Sequence, residues 1–564
     1  MIFGKELLSE YENTRLINYT ELEQSGLELI SFDELPTKGR IGFIKACFYG
    51  KDGKLKLLCS KPDSHALLIG ATGMGKTTGG LIPNICAFAN LKDPPSMIIT
   101  DPKGELQQRY DSYLKAHNYK TVTLSFRDPI HSEKFNVIGY IYDLYIKAYE
   151  VENEVEVVKT DKGLRNKFDG VIFDSQSALD FAVEQKKQML KEDAYNAVDE
   201  LATKVVPMEL AKDVYWPLSA QALLKAIVNG MLEDIFESGE RPTITRETFS
   251  MNTVLAILNS LDCGEGGVED RGFFTTRSDD SRAMSFANYS ILQNSPITRR
   301  CVIGQLDGSL TPYKSSVIRM LTCASSFDFS ELVEGDQPIA LFVNFQDEIK
   351  TQYMVISQFL QTCYTYLIQY ANNRPDGKLA KPIYFMLDEF GNMPAFQSFD
   401  CAISACRSRN IFFMIVLQSY AQLDNVYGPN VAEVVRDNVN THLFLGSNNP
   451  QTLEKFSREC GEFSHISPQS ALQGNSDKLD ALLIEQHVPC VPKSRLSTLG
   501  EGECIVTEAN CGYVLLSHIE RSYKCKEFAC GELFDQKNYV SSINPFDEKY
   551  VYRFSPIKPR RRTW

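Results

Sequence analysis

The sequence predicts an α/β fold broken by a largely α-helical insertion, and three observations carry that prediction. A short apolar run, Ala66 to Ile69, leads into a glycine-rich loop and then into a segment able to be helical up to Pro83. Further apolar runs at Ser96 to Asp101 and Thr121 to Ser125 alternate with helical stretches, and strand signals return at Ile339 to Val343. Between about 140 and 325 the signal is mainly helical: Leu224, Ile227, Val228, Met231 and Ile235 recur on one face at three and four residues.

The loop after the first strand lies within His65-Ala-Leu-Leu-Ile-Gly-Ala-Thr-Gly-Met-Gly-Lys-Thr-Thr78 and spells G-x-x-x-x-G-K-T at Gly70, Gly75, Lys76 and Thr77. This is the phosphate-binding loop of P-loop nucleoside triphosphatases. Glycines let the backbone curl with its N–H groups toward phosphate oxygens, and the helix N-terminus that follows favours an anion. The candidate nucleotide-binding set is Gly70, Thr72, Gly73, Gly75, Lys76, Thr77 and Thr78. Lys76 would reach the β- and γ-phosphates of ATP, and the Thr77 hydroxyl would ligate Mg2+.

Far downstream, Ile383-Tyr-Phe-Met-Leu-Asp-Glu389 places two acids after an apolar run, the pattern of a Walker B strand. Charged residues at the end of a buried strand are costly unless paired or metal-bound. Asp388 would hold magnesium through its water shell, and Glu389 would polarise the attacking water. Another strand, Phe412 to Leu417, delivers Gln418, and Thr441 to Leu445 forms one more. Ligands of open α/β sheets sit at the carboxyl ends of the strands, where Gly70, Asp101, Asp388 and Gln418 would converge.

Composition narrows the alternatives. At 564 residues, 43% hydrophobic and 23% charged, the chain is globular and long enough for several domains, which excludes a mainly disordered protein. A net charge of −13 argues against coating nucleic acid by bulk electrostatics, so DNA contact must come from local basic surface, a pore lining or a partner. The fifteen cysteines include no C-x-x-C pair and read as buried free thiols of a reducing cytoplasm. There is no signal-peptide pattern and no uncharged apolar run of about 18 residues, so the chain itself is not expected to span a membrane.

The predicted organisation is an N-terminal segment over 1–62, a nucleotide-binding domain over 63–140 and 327–520, an all-α insertion over 141–326, and a tail over 521–564. In the first segment, Ile44 to Tyr49 and Lys54 to Cys59 flank Lys51-Asp-Gly53 as a β-hairpin. Residues 151–260 hold 19 Asp or Glu against 12 Lys or Arg, about half of the net negative charge. That stretch reads either as a solvated helical surface or as a docking surface for a protein partner. An amphipathic helix, roughly Val355 to Tyr370, precedes the turn Asn373 to Gly377. The basic end Lys558 to Trp564 is either solvated or a phosphate contact.

Four stretches in this order, HALLIGATGMGKTTGGLIPN, MIITDPKGEL, IYFMLDEFGNMP and IVLQSYAQLDNVYG, followed by Asn438 and Thr452 to Gly461, resemble the type IV coupling proteins of bacterial conjugation and type IV secretion, the TraG/TraD-type ATPases. The resemblance implies a RecA-like motor domain interrupted by an all-α domain, active as a hexamer at the cytoplasmic face of the bacterial membrane. It implies that the motor receives relaxase-bound single-stranded DNA and passes it to the secretion channel. Many members carry N-terminal transmembrane helices; here attachment would fall to a membrane-anchoring partner protein or be absent. Met74 stands where the loop often has Ser, a position that contributes its backbone.

In that reading Gln418 senses the γ-phosphate, and Arg407, at a helix end before the Gln418 strand, acts as an arginine finger on a neighbouring subunit's nucleotide. Two other readings stay open. A general duplex-DNA pump of FtsK-like or HerA-like type would not be expected to show the helical insert or the DPKGE stretch. A non-hydrolysing, nucleotide-gated adaptor would not require Glu389.

Overall fold

The computed structural model of the chain describes residues 15–24, 27–154, 157–166, 171–208, 213–236, 241–261, 273–396, 398–470, 481–509, 511 and 513–550. The polar start before Arg15 and the basic end Lys558 to Trp564 lie outside the described residues. Strands β1 (Arg15–Asn18), β2 (Ile30–Ser31), β3 (Ile44–Tyr49), β4 (Leu55–Cys59), β5 (Ala66–Gly70), β6 (Ser96–Asp101) and β7 (Lys120–Ser125) come first. They are followed by β8 (Val157–Thr160), β9 (Gly163–Asn166) and β10 (Ile172–Phe173). The remaining strands are β11 (Ile339–Asn344), β12 (Ile383–Leu387), β13 (Ile411–Leu417), β14 (Thr441–Gly446), β15 (Glu462–Ser470), β16 (Ala481–Pro489), β17 (Glu503–Glu508) and β18 (Tyr513–His518). Two compact units result: one takes the described residues up to Thr123 and from Phe329 to Asn538, the other Leu124 to Asp328 and those from Tyr539.

The first unit is built on a sheet of order β1-β18-β17-β14-β5-β13-β12-β6-β11-β7. From β14 to β11 every pairing is parallel, and β17 runs antiparallel to both of its neighbours. Strands β5, β6, β11, β12 and β13 are buried along their whole length. Their unbroken apolar sequences follow from that, since a parallel sheet covered on both faces has no polar side to alternate with. Phe88 packs on Tyr384 with ring centroids 4.3 Å apart, and Phe43 meets the same ring edge-on at 5.3 Å.

Local structure departs from the sequence reading in instructive places. The hairpin forms as β3 and β4, with Gly53 left-handed in its turn, but β2 adds a third strand to it. The N-terminal segment also supplies β1, which pairs in parallel with β18 in the main sheet. Pro83 does not end the helix after the loop: Lys76–Leu81 forms a π-helical turn and Ile82–Ala89 continues as α-helix with Pro83 in its first turn. The Ile82 N–H still donates to the Thr77 carbonyl across the π-helical turn, so the helix is continuous through Pro83, which has no N–H to give.

The second unit corrects the expectation of an all-α insertion. Besides its helices it carries a small antiparallel sheet of order β10-β9-β8, closed by a turn at Gly163. A Cβ at Gly163 would lie 2.3 Å from the Phe173 carbonyl oxygen, so the position needs glycine. These strands lie in a charge-rich stretch with little apolar alternation, so charge masked their periodicity. Helix Tyr215–Glu233 buries Leu224, Ile227, Val228 and Met231. At its C-terminal end Arg277 pairs with Glu233 at 2.9 Å and Asp234 at 2.6 Å, and Arg241 reaches Asp234 at 2.7 Å. The expected tail over 521–564 is likewise divided, since residues to Asn538 belong to the first unit and those from Tyr539 to the second.

His65, just before β5, is fully buried and reads both its ring nitrogens on the backbone. Nδ1 accepts from the Phe413 N–H at 3.0 Å, so Nε2 carries the proton and donates to the Ile403 carbonyl at 2.9 Å. Burial lowers its pKa to about 4, with the Ile403 carbonyl opposing and Arg407 adding a smaller downward push. A depressed histidine contributes stability that is complete above its ordinary pKa of 6.5 and lost as pH falls through about 4. The loss amounts to about 3 kcal/mol at most. Denaturant titrations between pH 7 and pH 4 should therefore fall more steeply for the parent than for His65→Gln; parallel pH dependences would contradict a buried neutral ring.

Candidate active site

The glycine-rich loop leaves β5 at Gly70 and is tied at its base by the Ala71 N–H, which donates to the Gly446 carbonyl at the end of β14 (2.9 Å). Gly73 and Gly75 take φ of 84° and 81°, the left-handed region that lets consecutive N–H groups face one concavity. Gly70 has little room for a side chain, since a Cβ there would lie 3.1 Å from Lys76 Cγ and 3.3 Å from Leu445 Cβ. Thr72 and Gly73 form the exposed crest; Thr77 and Thr78 are half-buried, and Lys76 is buried at the start of the π-helical turn.

Asp388 and Glu389 follow β12, two strands from the loop, because β13 lies between β5 and β12. The Asp388 carboxylate accepts the Glu389 N–H at 3.0 Å, and the Thr100 hydroxyl donates to the Asp388 carbonyl at 2.9 Å. Burial first, and then the Glu389 carboxylate, push the Asp388 pKa up to about 6, against the pull of Lys76. Asp101, at the end of neighbouring β6, is also raised to about 6 by burial although the Gln107 N–H donates to it at 2.9 Å. Buried beside other carboxylates, Asp388 suits a hard divalent cation, which together with the Thr77 hydroxyl is the donor set expected for Mg2+.

Glu389 adopts φ 54° and ψ 32°, a left-handed conformation costing of order 1 kcal/mol or more for a side chain of this kind. The turn brings one carboxylate oxygen to 3.8 Å from Lys76 Nζ. Gln418, just past β13, donates its amide to both Glu389 oxygens at 3.2 and 3.1 Å, and Asn392 donates at 2.8 Å. Gln422 closes the ring: its carbonyl accepts the Gln418 N–H at 2.8 Å and its amide donates to Asn392 at 3.3 Å. A carboxylate held by amide donors keeps its orientation and remains an acceptor, as a water-activating base must. Asn392 and Gln422 lie within the family-like stretches, yet no local pattern marks their part in the ring.

The structure thus brings Gly70, Lys76, Thr77, Asp388, Glu389 and Gln418 together and leaves Arg407 elsewhere. Arg407 opens the 3-10 turn Arg407–Arg409 before β13, whereas Gln418 follows that strand. Seven extended residues separate the two ends by roughly 23 Å. Arg407 is exposed, donates to Asn440 at 3.0 Å, and lines a cavity of about 540 Å³ with Arg40, Lys61 and Lys378. One residue unforeseen from the sequence does reach the loop: Arg521 donates to the carbonyls of Met74 and Gly75 at 2.7 and 3.0 Å. It follows β18 as an isolated arginine in a poorly patterned stretch, with no sequence signal to single it out.

The profile of the family described as type IV secretory system conjugative DNA transfer matches residues 30–478. Two proteins described as conjugal transfer protein TraG, both from Escherichia coli, are 22% and 20% identical over 456 and 481 residues. The similarity covers 79% and 84% of this chain, which spans 62% and 66% of the length of those relatives. Among solved structures, the bacterial conjugative coupling protein TrwBdeltaN70 with sulphate gives a TM-score of 0.59 at 16% identity, covering 94% of this chain and 100% of that one. TrwB with the non-hydrolysable ATP analogue ADPNP gives 0.58 at 16% identity, covering 94% and 99%. TrwB with ADP and Mg2+ gives 0.55 at 16% identity, covering 88% and 94%. The shared architecture is the RecA-like P-loop fold.

Among the described residues the acid within ion-pair reach of Lys76 is Glu389, at 3.8 Å. Lys76→Ala should weaken Mg-ATP binding by about 100-fold or more, because the phosphate charge then meets only backbone dipoles. Titration with a fluorescent ATP analogue checks this, and parental affinity in the variant would contradict the assignment of the loop.

Proposed function

The chain belongs to the conjugative DNA transfer family of type IV secretory systems, and from that premise we propose that it is an ATP-driven coupling motor delivering relaxase-bound single-stranded DNA to the secretion channel. The observation that carries this reading is the meeting, at the carboxyl ends of adjacent parallel strands, of Lys76, Asp388 and a Glu389 fixed by Gln418 and Asn392. Lys76 offsets the charge of the β- and γ-phosphates, while Glu389 orients a water and takes its proton. Magnesium, when bound, supplies charge compensation on the phosphates; Thr77 and Asp388 are the residues that would hold it. Gln418, bonded to the base itself, is placed to report the state of the γ-phosphate to β13 and the helix Tyr420–Asn438 that follows it.

The adaptor reading gives no reason to hold a carboxylate in a strained turn with three amide bonds. The DNA-pump reading draws no specific support from the insert. Among the described residues no helix is long and apolar enough to cross a membrane; the proposal includes attachment at the cytoplasmic face through a membrane-anchoring partner. TrwB has been solved with ADP and Mg2+ and with a non-hydrolysable ATP analogue, which supports ATP and Mg2+ as cofactors here.

We further assign Arg407 to a neighbouring subunit's nucleotide. Within one chain it stands at the opposite end of β13 from the loop, so it can act only across a subunit contact, as a ring, here taken as a hexamer, provides.

Glu389→Gln should bind Mg-ATP at parental affinity yet turn over at least about 100-fold more slowly, and DNA transfer in a mating assay should fall with it. Turnover at the parental rate would remove Glu389 as base. For the finger, Arg407→Ala and Lys76→Ala should each be inactive alone, while their mixture recovers part of the parental ATPase rate. A mixture that stays inactive under conditions where the parent is shown to assemble would contradict action in trans.

A further inference from the structure

The nucleotide site described above leaves one cation without a role. Arg521 is only 9% exposed and its guanidinium forks onto two carbonyls of the phosphate loop, Met74 at 2.7 Å and Gly75 at 3.0 Å. The nearby acids make their ion pairs with Lys524, Glu501 at 3.1 Å and Glu520 at 3.7 Å, while Arg521 adds a smaller downward pull on the Glu501 pKa. The guanidinium is thus held by neutral carbonyls of the loop itself, which brings its positive charge against the loop meant for a polyanion.

The loop is shaped to admit it. A Cβ on Gly75 would lie 1.5 Å from Arg521 Nη1, and one on Gly79 would lie 3.0 Å from the same atom. Gly79 sits inside the π-helical turn, where glycine is a poor choice on conformational grounds; the seat for Arg521 accounts for it. The Gly75 carbonyl also accepts the Gly79 N–H at 2.8 Å, so the arginine grips the point where loop becomes helix.

The backbone carrying Arg521 is fixed as well. Ile519 N–H donates to the Gly502 carbonyl at 2.8 Å, Glu520 N–H donates to the Cys47 carbonyl at 2.7 Å, and Cys47 bridges Ile519 in parallel. Cys47 lies in β3, so the strap from Ile519 to Arg521 joins the N-terminal three-stranded sheet to the phosphate loop within one unit.

We propose that Arg521 is a positioning residue of the nucleotide site: it holds the phosphate loop in its anion-receiving form, adds a second positive charge beside Lys76, and ties nucleotide occupancy to β3. This rests on the reading of the loop as an ATP site. Binding the outer carbonyls of a loop whose N–H groups turn inward fixes the direction of those N–H groups before a phosphate arrives, which lowers the cost of ordering the loop on binding. The effect is therefore on affinity more than on the chemical step.

The test is nucleotide binding and steady-state ATPase of the full chain as parent, Arg521→Ala, Arg521→Lys and Arg521→Gln, with Lys76→Ala as control. Arg521→Ala is expected to raise both Kd and KM for ATP at least tenfold with kcat within threefold. Arg521→Lys is expected to bind more tightly than Arg521→Gln, since it keeps the charge. Hydrogen exchange should show ADP slowing exchange at Ile44 to Tyr49 in the parent and not in Arg521→Ala. Where Arg521→Ala does not fold, the order of the Lys and Gln variants decides by the same measure. Affinities within twofold of the parent in all variants, with the parent binding ATP in a Lys76-dependent way, overturn this inference alone. A parent whose ATP binding is indifferent to Lys76→Ala overturns the reading of the loop and this inference with it.

Discussion

Carboxylates at the buried end of a parallel sheet set the terms for the rest of the first unit. Taking a charge out of water is costly by several kcal/mol unless an opposite charge or directed donors replace the lost hydration. Asp101, Asp388 and Glu389 lie close together at the ends of β6 and β12, and the raised pKa values of the first two record that cost. The compensation comes from different parts of the chain: Lys76 from the loop after β5, a backbone N–H after β6, and the amides of Asn392 after β12 and Gln418 after β13. Moving any one of these strands out of register would strand a charge. The geometry of the candidate site and the order of the central strands are therefore one constraint.

The second unit meets the same problem in a different setting. Asp234 has no exposed side-chain surface, and its charge is met by Arg277 and Arg241, with Arg277 also holding Glu233 and Ser281 capping back onto that glutamate. Removing one partner from such a cluster leaves an uncompensated ion and typically costs about 3 to 5 kcal/mol. In this unit buried charge fastens helix Tyr215–Glu233 to the segment around Arg277; in the first unit it gathers at the candidate nucleotide site.

What the sequence disclosed follows from how local each determinant is. The central strands were legible because burial on both faces demands four to seven apolar residues in a row, and the phosphate loop because its glycines and Lys76 are fixed within eight positions. Asp388 and Glu389 were legible for the same reason. The sheet β8 to β10 was not, because its stability does not come from an apolar run that a periodicity reading detects. β1 escaped notice as a four-residue strand whose partner, β18, is nearly 500 positions away. Gln422, Asn392 and Arg521 carry side chains common on any surface, and only the fold brings them to the site. Arg407 stands before the Gln418 strand in sequence, and the same placement puts it at the far end of β13 from its own loop.

The distance in sequence between Arg521 and the loop it grips, 446 positions from Gly75, has a consequence for how the protein is made. Ribosomes add about 5–20 residues per second, so the loop emerges roughly 20 to 90 seconds before the arginine that supports it. β1 waits still longer for β18. A chain released early would display a phosphate loop without its clamp and a sheet edge without its closing strand. In the proposed scheme full affinity for nucleotide arrives only once Arg521 has reached the loop, so shorter chains still on the ribosome would hold ATP weakly.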